Sequence, residues 1–179
     1  MRFLYPNKPV RVWDPHIAAK HVGIPSWVVQ PKWDGSRVEV TVEDQRVRLM
    51  SREGREWDST QWGWLASLPI PQPWYGDGEL LRSGKIVLWD LAVLGGRSIF
   101  HQEYYPRLQT LQSLLPESVS VGAREVSVAQ TLSGERYQEL LTRVGEPHME
   151  GIVWKDKTAK NLWGPNSTSE VGSQVKYRF

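Results

Sequence analysis

Apolar and polar positions alternate over Ser36–Val42 and again over Arg46–Met50, with the polar turn Glu43-Asp44-Gln45 between them. A period of two marks a strand with one buried face, so these runs predict an antiparallel pair. Trp27-Val28-Val29-Gln30 predicts a strand just before them, leading to Lys32. Asp34-Gly35 is a strong two-residue hairpin signal, so the opening is expected to be an antiparallel meander. In front of it, residues 1–13 carry two prolines and read as an irregular lead-in. Asp14-Pro15 then supplies a cap and a first-turn proline for a short helix over His16–Val22.

Further along, Thr60–Leu68 predicts a helix with Trp62 and Trp64 split between its faces, and Pro71, Pro73 and Gly76 mark a loop. Asp77–Leu81 begins a strand, and Lys85–Leu94, the most apolar run, predicts a central one ended by Gly95-Gly96. Tyr105–Leu115 predicts a helix with Leu108, Leu111, Leu114 and Leu115 on one face. Val119–Val128 reads as a weaker strand and Ser133–Val144 as a second amphipathic helix with Leu140 and Leu141 inward. Met149–Lys155 is a strand that opens on a carboxylate and closes on a lysine, and 158–172 is polar and irregular. Gly172–Phe179 is a last strand. The order predicts an α+β fold of mainly antiparallel sheets with flanking helices, and no internal repeat appears.

Composition narrows the chemistry. A chain of 179 residues with 40% apolar and 23% charged residues suits one soluble globular domain. The formal charge of +2 excludes a polybasic tail and is compatible with an anionic ligand. There is no cysteine, which excludes disulfides, thiol catalysis and thiolate metal sites. His16, His21, His101 and His148 show no metal-ligand spacing. No window resembles a membrane span or a signal peptide, so a cytoplasmic location is the expectation. Ten tryptophans are many for this length; they fill a small core, line a pocket that stacks on bases, or do both.

Charged residues recur at strand ends: Lys32, Asp34, Glu79, Glu150, Lys155, Lys176 and Arg178. Singly, each reads as a solvated surface charge. Together, beside apolar strands, they predict an inward polar cluster, which is costly unless it binds something. A triphosphate with a divalent cation satisfies such a set, because cations neutralise phosphate oxygens and carboxylates hold Mg²⁺ largely through water.

These residues fall in segments that resemble the covalent nucleotidyltransferase superfamily, which includes ATP-dependent DNA ligases, RNA ligases and mRNA capping enzymes. Lys32-Trp33-Asp34-Gly35-Ser36-Arg37 matches the first motif, KxDGxR, and Ser51-Arg52-Glu53-Gly54 a short ligase segment downstream. Asp77-Gly78-Glu79-Leu80 and Leu88-Trp89-Asp90 match the next two, the latter with tryptophan where phenylalanine or tyrosine is usual. Glu150–Lys155 and Val175-Lys176-Tyr177-Arg178 match the last two, with Arg178 in place of a lysine. A short pattern alone recurs by chance; the ordered set across nearly the whole chain does not.

The resemblance implies a single nucleotidyltransferase (ATP-grasp-like) adenylation domain over residues 1–179. It implies Lys32 as the nucleophile that attacks the α-phosphate of ATP to form lysyl-AMP, with Lys176 and Arg178 as the other catalytic residues, neutralising phosphate charge and favouring a neutral Lys32 amine. Gln30 would read the adenine amino group, though an amide both donates and accepts. Trp89 would stack on adenine, with core packing an equal alternative. Arg37 and Arg52 would hold the ribose or the 5′-phosphate of the broken strand. Glu79 would touch the ribose or help hold metal, and Glu150 would bind Mg²⁺ or Mn²⁺ through water. Lys155 is shared with DNA ligases and argues against capping. Most relatives continue into an OB-fold domain that orients pyrophosphate; residues 1–179 are expected to lack one, which implies a truncated sequence, a minimal enzyme, or a separate OB-fold or partner chain, and a first step weakened more than the last. The implied function is an ATP-dependent ligase sealing a nicked or broken duplex, DNA in preference to RNA, as a monomer. A capping-type guanylyltransferase and a non-catalytic nucleic-acid-binding module are the alternatives.

Overall fold

The structure, a computed structural model, describes residues 5–6, 8–22, 25–160, 163–164 and 170–179. In chain order the first elements are β1 (Tyr5–Pro6), β2 (Lys8–Arg11), α1 (Pro15–Val22), β3 (Trp27–Trp33), β4 (Gly35–Glu43), β5 (Arg46–Ser51) and β6 (Glu56–Trp57). A 3-10 helix over Thr60–Ser67 leads to β7 (Trp74–Leu81), β8 (Lys85–Leu94), β9 (Arg97–Ser98) and α2 (Tyr104–Leu114). The chain then forms β10 (Val119–Val121), β11 (Arg124–Val128), β12 (Leu132–Ser133), α3 (Tyr137–Leu141), β13 (Met149–Asp156), β14 (Trp163–Gly164) and β15 (Glu170–Arg178).

Among the described residues these strands build two large sheets. One is eight-stranded, ordered β10-β11-β8-β7-β4-β5-β6 with β9 attached to β8; the other is five-stranded, ordered β12-β3-β13-β15-β2. Pairing is mainly antiparallel, as expected, with parallel pairs β11–β8 and β15–β2. The fold class read from the sequence is the one observed.

The opening corrects the meander. β4 and β5 form the predicted hairpin, closed by Asp44 and Gln45 at positive φ. β3 and β4, however, do not pair: β3 lies between β12 and β13, and β4 between β5 and β7. Asp34-Gly35 is therefore a crossing from one sheet to the other. β3 is apolar on both faces, Val28 toward the other sheet and Val29 toward the outer layer, whereas β4 alternates and sends Val38, Val40 and Val42 into the core of the larger sheet, so each strand finds its partners in a different layer.

Other boundaries shift for local reasons. The lead-in is ordered into β2, whose Lys8–Arg11 runs parallel to β15. Thr60–Ser67 is 3-10 rather than α-helical: Trp62, Leu65 and Leu68 are all buried, and a spacing of three fits three residues per turn. Trp64 packs against the same cluster, so the tryptophans are not split between faces. Gly76 lies inside β7. Val119–Val128 is a hairpin of two strands rather than one. The helix expected over Ser133–Val144 shrinks to Tyr137–Leu141, because Leu132 and Ser133 are taken as a strand by Val29 and Val28. The last strand starts at Glu170, and 161–162 and 165–169 of the expected irregular segment lie outside the described residues.

Three of the four apolar clusters among the described residues hold the layers. Val38, Val40, Val42 and Leu49 pack one face of the larger sheet against Trp62, Leu65, Leu111 and Leu115. Val29, Ile152 and Trp154 pack the outer face of the smaller sheet against Tyr137 and Leu140. Val28, Tyr75, Ala92, Val93, Tyr104 and Leu108 join the two sheets at one end.

Candidate functional site

Strand alternation makes a cleft at the end of the inter-sheet space where apolar residues run out. Val29 faces the outer cluster, so its neighbours Val28, Gln30 and Lys32 face the other sheet. Val175 and Tyr177 also pack outward, which leaves Gln174, Lys176 and Arg178 inward. Across the gap, Val38 and Val40 enter the far core and Arg37 turns to face β3. The result is a cleft of about 400 Å³ lined from both sheets. It brings together every predicted site residue: Lys32, Lys176 and Arg178; Gln30, Arg37 and Arg52; Glu79, Trp89, Glu150 and Lys155.

Two of them arrive by bulges. Asp77 pairs with Asp90 and Gly78 with Leu88, so Trp89 has no partner on β7. Met149 pairs with Trp33 and Gly151 with Lys32, which leaves Glu150 as the extra residue. A bulge re-aims a side chain without ending the strand. The adjacent glycines permit the close backbone approach: a Cβ on Gly151 would lie 2.0 Å from the Tyr177 carbonyl oxygen, and one on Gly78 2.4 Å from that of Val87.

Lys32 gives an ion pair to Glu150 Oε1, and Arg178 donates to the same oxygen at 3.1 Å. A carboxylate thus stands beside the lysine among the expected cations. Arg37 grips Asp77 with two nitrogens, Nε donating at 2.6 Å, and Trp89 Nε1 donates to the same carboxylate at 2.7 Å. The Trp89 ring is flanked by charge as well: the Arg37 guanidinium carbon is 5.2 Å and Lys155 Nζ 5.0 Å from its centroid. Glu79 accepts from the Gly35 N–H at 3.2 Å; burial raises its pKa to about 7 against the lowering charges of Lys32 and Arg37. Lys155 is buried, and desolvation pulls its pKa down to about 7 although Asp90 and Asp77 oppose this. Arg52 Nε is buried with no hydrogen-bond partner. A guanidinium held in that state is a standing attraction for an anion.

Residues absent from the sequence reading also shape the site. Arg107, fully buried, grips Asp90 with Nε and Nη2 at 2.8 Å each and fixes the base of the Trp89 bulge. The available signal was an arginine three residues after Tyr104 and four before Leu111, on the apolar face of α2. Tyr104 lies under Lys155, 4.9 Å from Nζ to the ring centroid. Its hydroxyl is held above the ordinary range by burial and then by Asp90. Thr131 accepts from Gln30 Nε2 at 2.8 Å. Lys8, from the supposed irregular lead-in, lines the cleft mouth. No pattern in the chain marks Thr131 or Lys8.

Among the described residues no group of three or more His, Cys, Asp or Glu side chains forms a metal site. The cleft instead offers carboxylates among cations, Glu79 and Glu150 with them, a donor set that suits a hydrated ion brought with phosphate ligands rather than an all-protein cage.

No family profile matches the chain, and no curated protein matches it by sequence. Solved structures match in fold. The mycobacterial DNA ligase D complexed with ATP and MES superposes with a TM-score of 0.72 at 21% identity, over 98% of this chain and 60% of that one. A structure of Lig E DNA ligases gives 0.63 at 18% identity, over 98% and 68%. The Chlorella virus DNA ligase–adenylate gives 0.64 at 13% identity, over 97% and 67%. The chain has the fold of these ligase structures and spans about three fifths of the length of the first.

Proposed function

We propose that residues 1–179 form the adenylation domain of an ATP-dependent polynucleotide ligase that seals nicks in DNA. The observation that carries the reading is the pairing of Lys32 with Glu150 at the inter-sheet crossing, in a cleft walled by Arg37, Arg52, Lys176 and Arg178. The fold supports it, since the similar structures are DNA ligases, one of them with ATP.

The chemistry follows from these groups. Attack by Lys32 requires a proton to leave its ammonium group. Glu150 is placed to accept it. The Nζ lone pair then bonds to the α-phosphorus of ATP as the bond to pyrophosphate breaks. Lys176 and Arg178 neutralise charge on the phosphorus oxygens in that transition state. The AMP group passes from Lys32 to a 5′-phosphate, releasing the amine, and a 3′-hydroxyl displaces AMP to form the phosphodiester. Gln30 and Trp89 hold the base, Arg37 and Arg52 the sugar or the strand's 5′-phosphate. Glu150 and Glu79 would hold Mg²⁺ through water, and the ion would supply charge neutralisation on the phosphates.

The test is covalent labelling. Protein incubated with α-labelled ATP and Mg²⁺ should carry AMP, and Lys32→Ala should carry none. Label from GTP alone would favour a capping-type enzyme, and no label from either with intact duplex binding a non-catalytic module. A panel of nicks with DNA or RNA on each side separates DNA from RNA ligase.

A further inference from the structure

We propose that Trp13, at the sheet edge beside the cleft, is a stacking platform for an unpaired base of the polynucleotide, so that the protein favours breaks flanked by unpaired nucleotides over fully paired nicks. The inference rests on the ligase reading only for the partner being a polynucleotide.

Trp13 is 80% exposed, the most exposed large apolar side chain among the described residues. It follows β2, the edge strand of the smaller sheet. β2 is bound to β15: Arg11 lies opposite Lys176, and the Val12 N–H donates to the Lys176 carbonyl at 2.9 Å. Val12 packs into the outer cluster, so alternation turns Arg11 and Trp13 to the face that carries the cleft-lining Lys176. The strand order β3-β13-β15-β2 puts this edge three inter-strand steps from Lys32. That is about 14 Å, a path of roughly four stacked nucleotides.

The Arg11 guanidinium carbon stands 4.1 Å from the Trp13 ring centroid and covers one face of the indole. The exposure of the ring leaves the other face open to a ligand. An apolar protein partner calls for a contiguous apolar patch, whereas this ring sits among cations, with Arg11 on its face and Lys176 and Arg178 on the neighbouring strand. Cations that follow a phosphate backbone, with an aromatic ring among them, are the make-up of a single-strand path. A paired base keeps both faces in its own stack and offers the grooves only its edges. Stacking on Trp13 therefore requires an unpaired base, and any of the four will serve, since each has a π face.

Binding is measured by fluorescence anisotropy in a Lys32→Ala background, where no covalent adduct forms. The probes are two labelled nicked DNA duplexes, one fully paired and one with a few unpaired nucleotides at the break. The parent should bind the second more tightly. Trp13→Ala should weaken that binding on the order of tenfold and leave the paired duplex nearly unaffected, while Trp13→Phe, which keeps a ring, should retain most of the preference. An exposed side chain is removed without opening the core, and an unchanged melting temperature checks this. A parent that does not discriminate overturns the proposal, as does an equal loss on both duplexes. No loss on either also overturns it and assigns Trp13 to a protein partner. Absence of the AMP label on Lys32 in the unmodified protein sinks the ligase reading alone; failure to bind either duplex sinks this proposal, whatever the label shows.

Discussion

Arg107 and Asp90 show at the scale of single residues how the site is underpinned. Their side chains are 0% and 4% exposed, and a pair that deep is stable only while both partners are present. Arg107→Met strands the Asp90 carboxylate with the Leu91 N–H among its remaining partners. It should destabilise the protein by about 3–5 kcal/mol in urea unfolding. Adding Asp90→Val should recover much of that loss, because neither charge of the pair is then left unpaired. If the double variant proves as unstable as the single one, the pair acts through something other than its charge. The Arg37–Asp77 pair differs in kind. Arg37 lines the cleft, so on the ligase reading its removal should lower nucleotide binding as well as stability.

At the scale of elements, the decisive devices are bulges beside glycines. β13 and β8 would, as regular strands, give each residue a cross-strand partner; the extra residue in each places Glu150 and Trp89 in the cleft. Gly151→Ala would force a Cβ to 2.0 Å from the Tyr177 oxygen, and the two strands must separate. We expect a stability loss of about 1–3 kcal/mol and a fall in lysyl-AMP formation of at least tenfold, since a 1 Å shift between reacting groups is enough for that. Retention of full labelling in the alanine variant would show that the bulge does not position Glu150. The predicted hairpin at Asp34-Gly35 teaches the complementary lesson. Turn chemistry was legible there, but pairing partners are chosen by which layer buries each face.

At the scale of the whole molecule, burial between layers sets the response to pH. Glu39, opposite Asp77 on β4, is 4% exposed and its pKa rises from 4.5 to about 8 through burial and then Asp77, while Glu79 rises to about 7. An acid whose pKa is raised on folding holds more protons in the native state, so its contribution to stability falls as pH rises from 4.5 toward the folded value. Lys155 has the opposite sign: with a pKa lowered from 10.5 to about 7, its penalty is full below 7 and is relieved as pH climbs toward 10.5. Glu39→Gln should therefore stabilise progressively between pH 5 and pH 8, by up to about 1.4 kcal/mol per unit, and Lys155→Met should stabilise most below pH 7. Denaturant midpoints across that range check both; a Glu39→Gln effect that does not change with pH refutes the assignment.

The amino-acid order by itself determined most of the strands, the α+β class and the charged residues near strand ends that gather in the cleft, because strand periodicity and spaced charged residues are local properties. It also carried the resemblance to ligases through short segments whose residues act together. Only the tertiary structure decided that β3 and β4 lie in different sheets, that the Glu150 carboxylate rather than a cation meets Lys32, and that Arg107 and Thr131 support the site. Those outcomes depend on partners more than a hundred residues apart in the chain, such as Glu150 for Lys32, which no single segment contains.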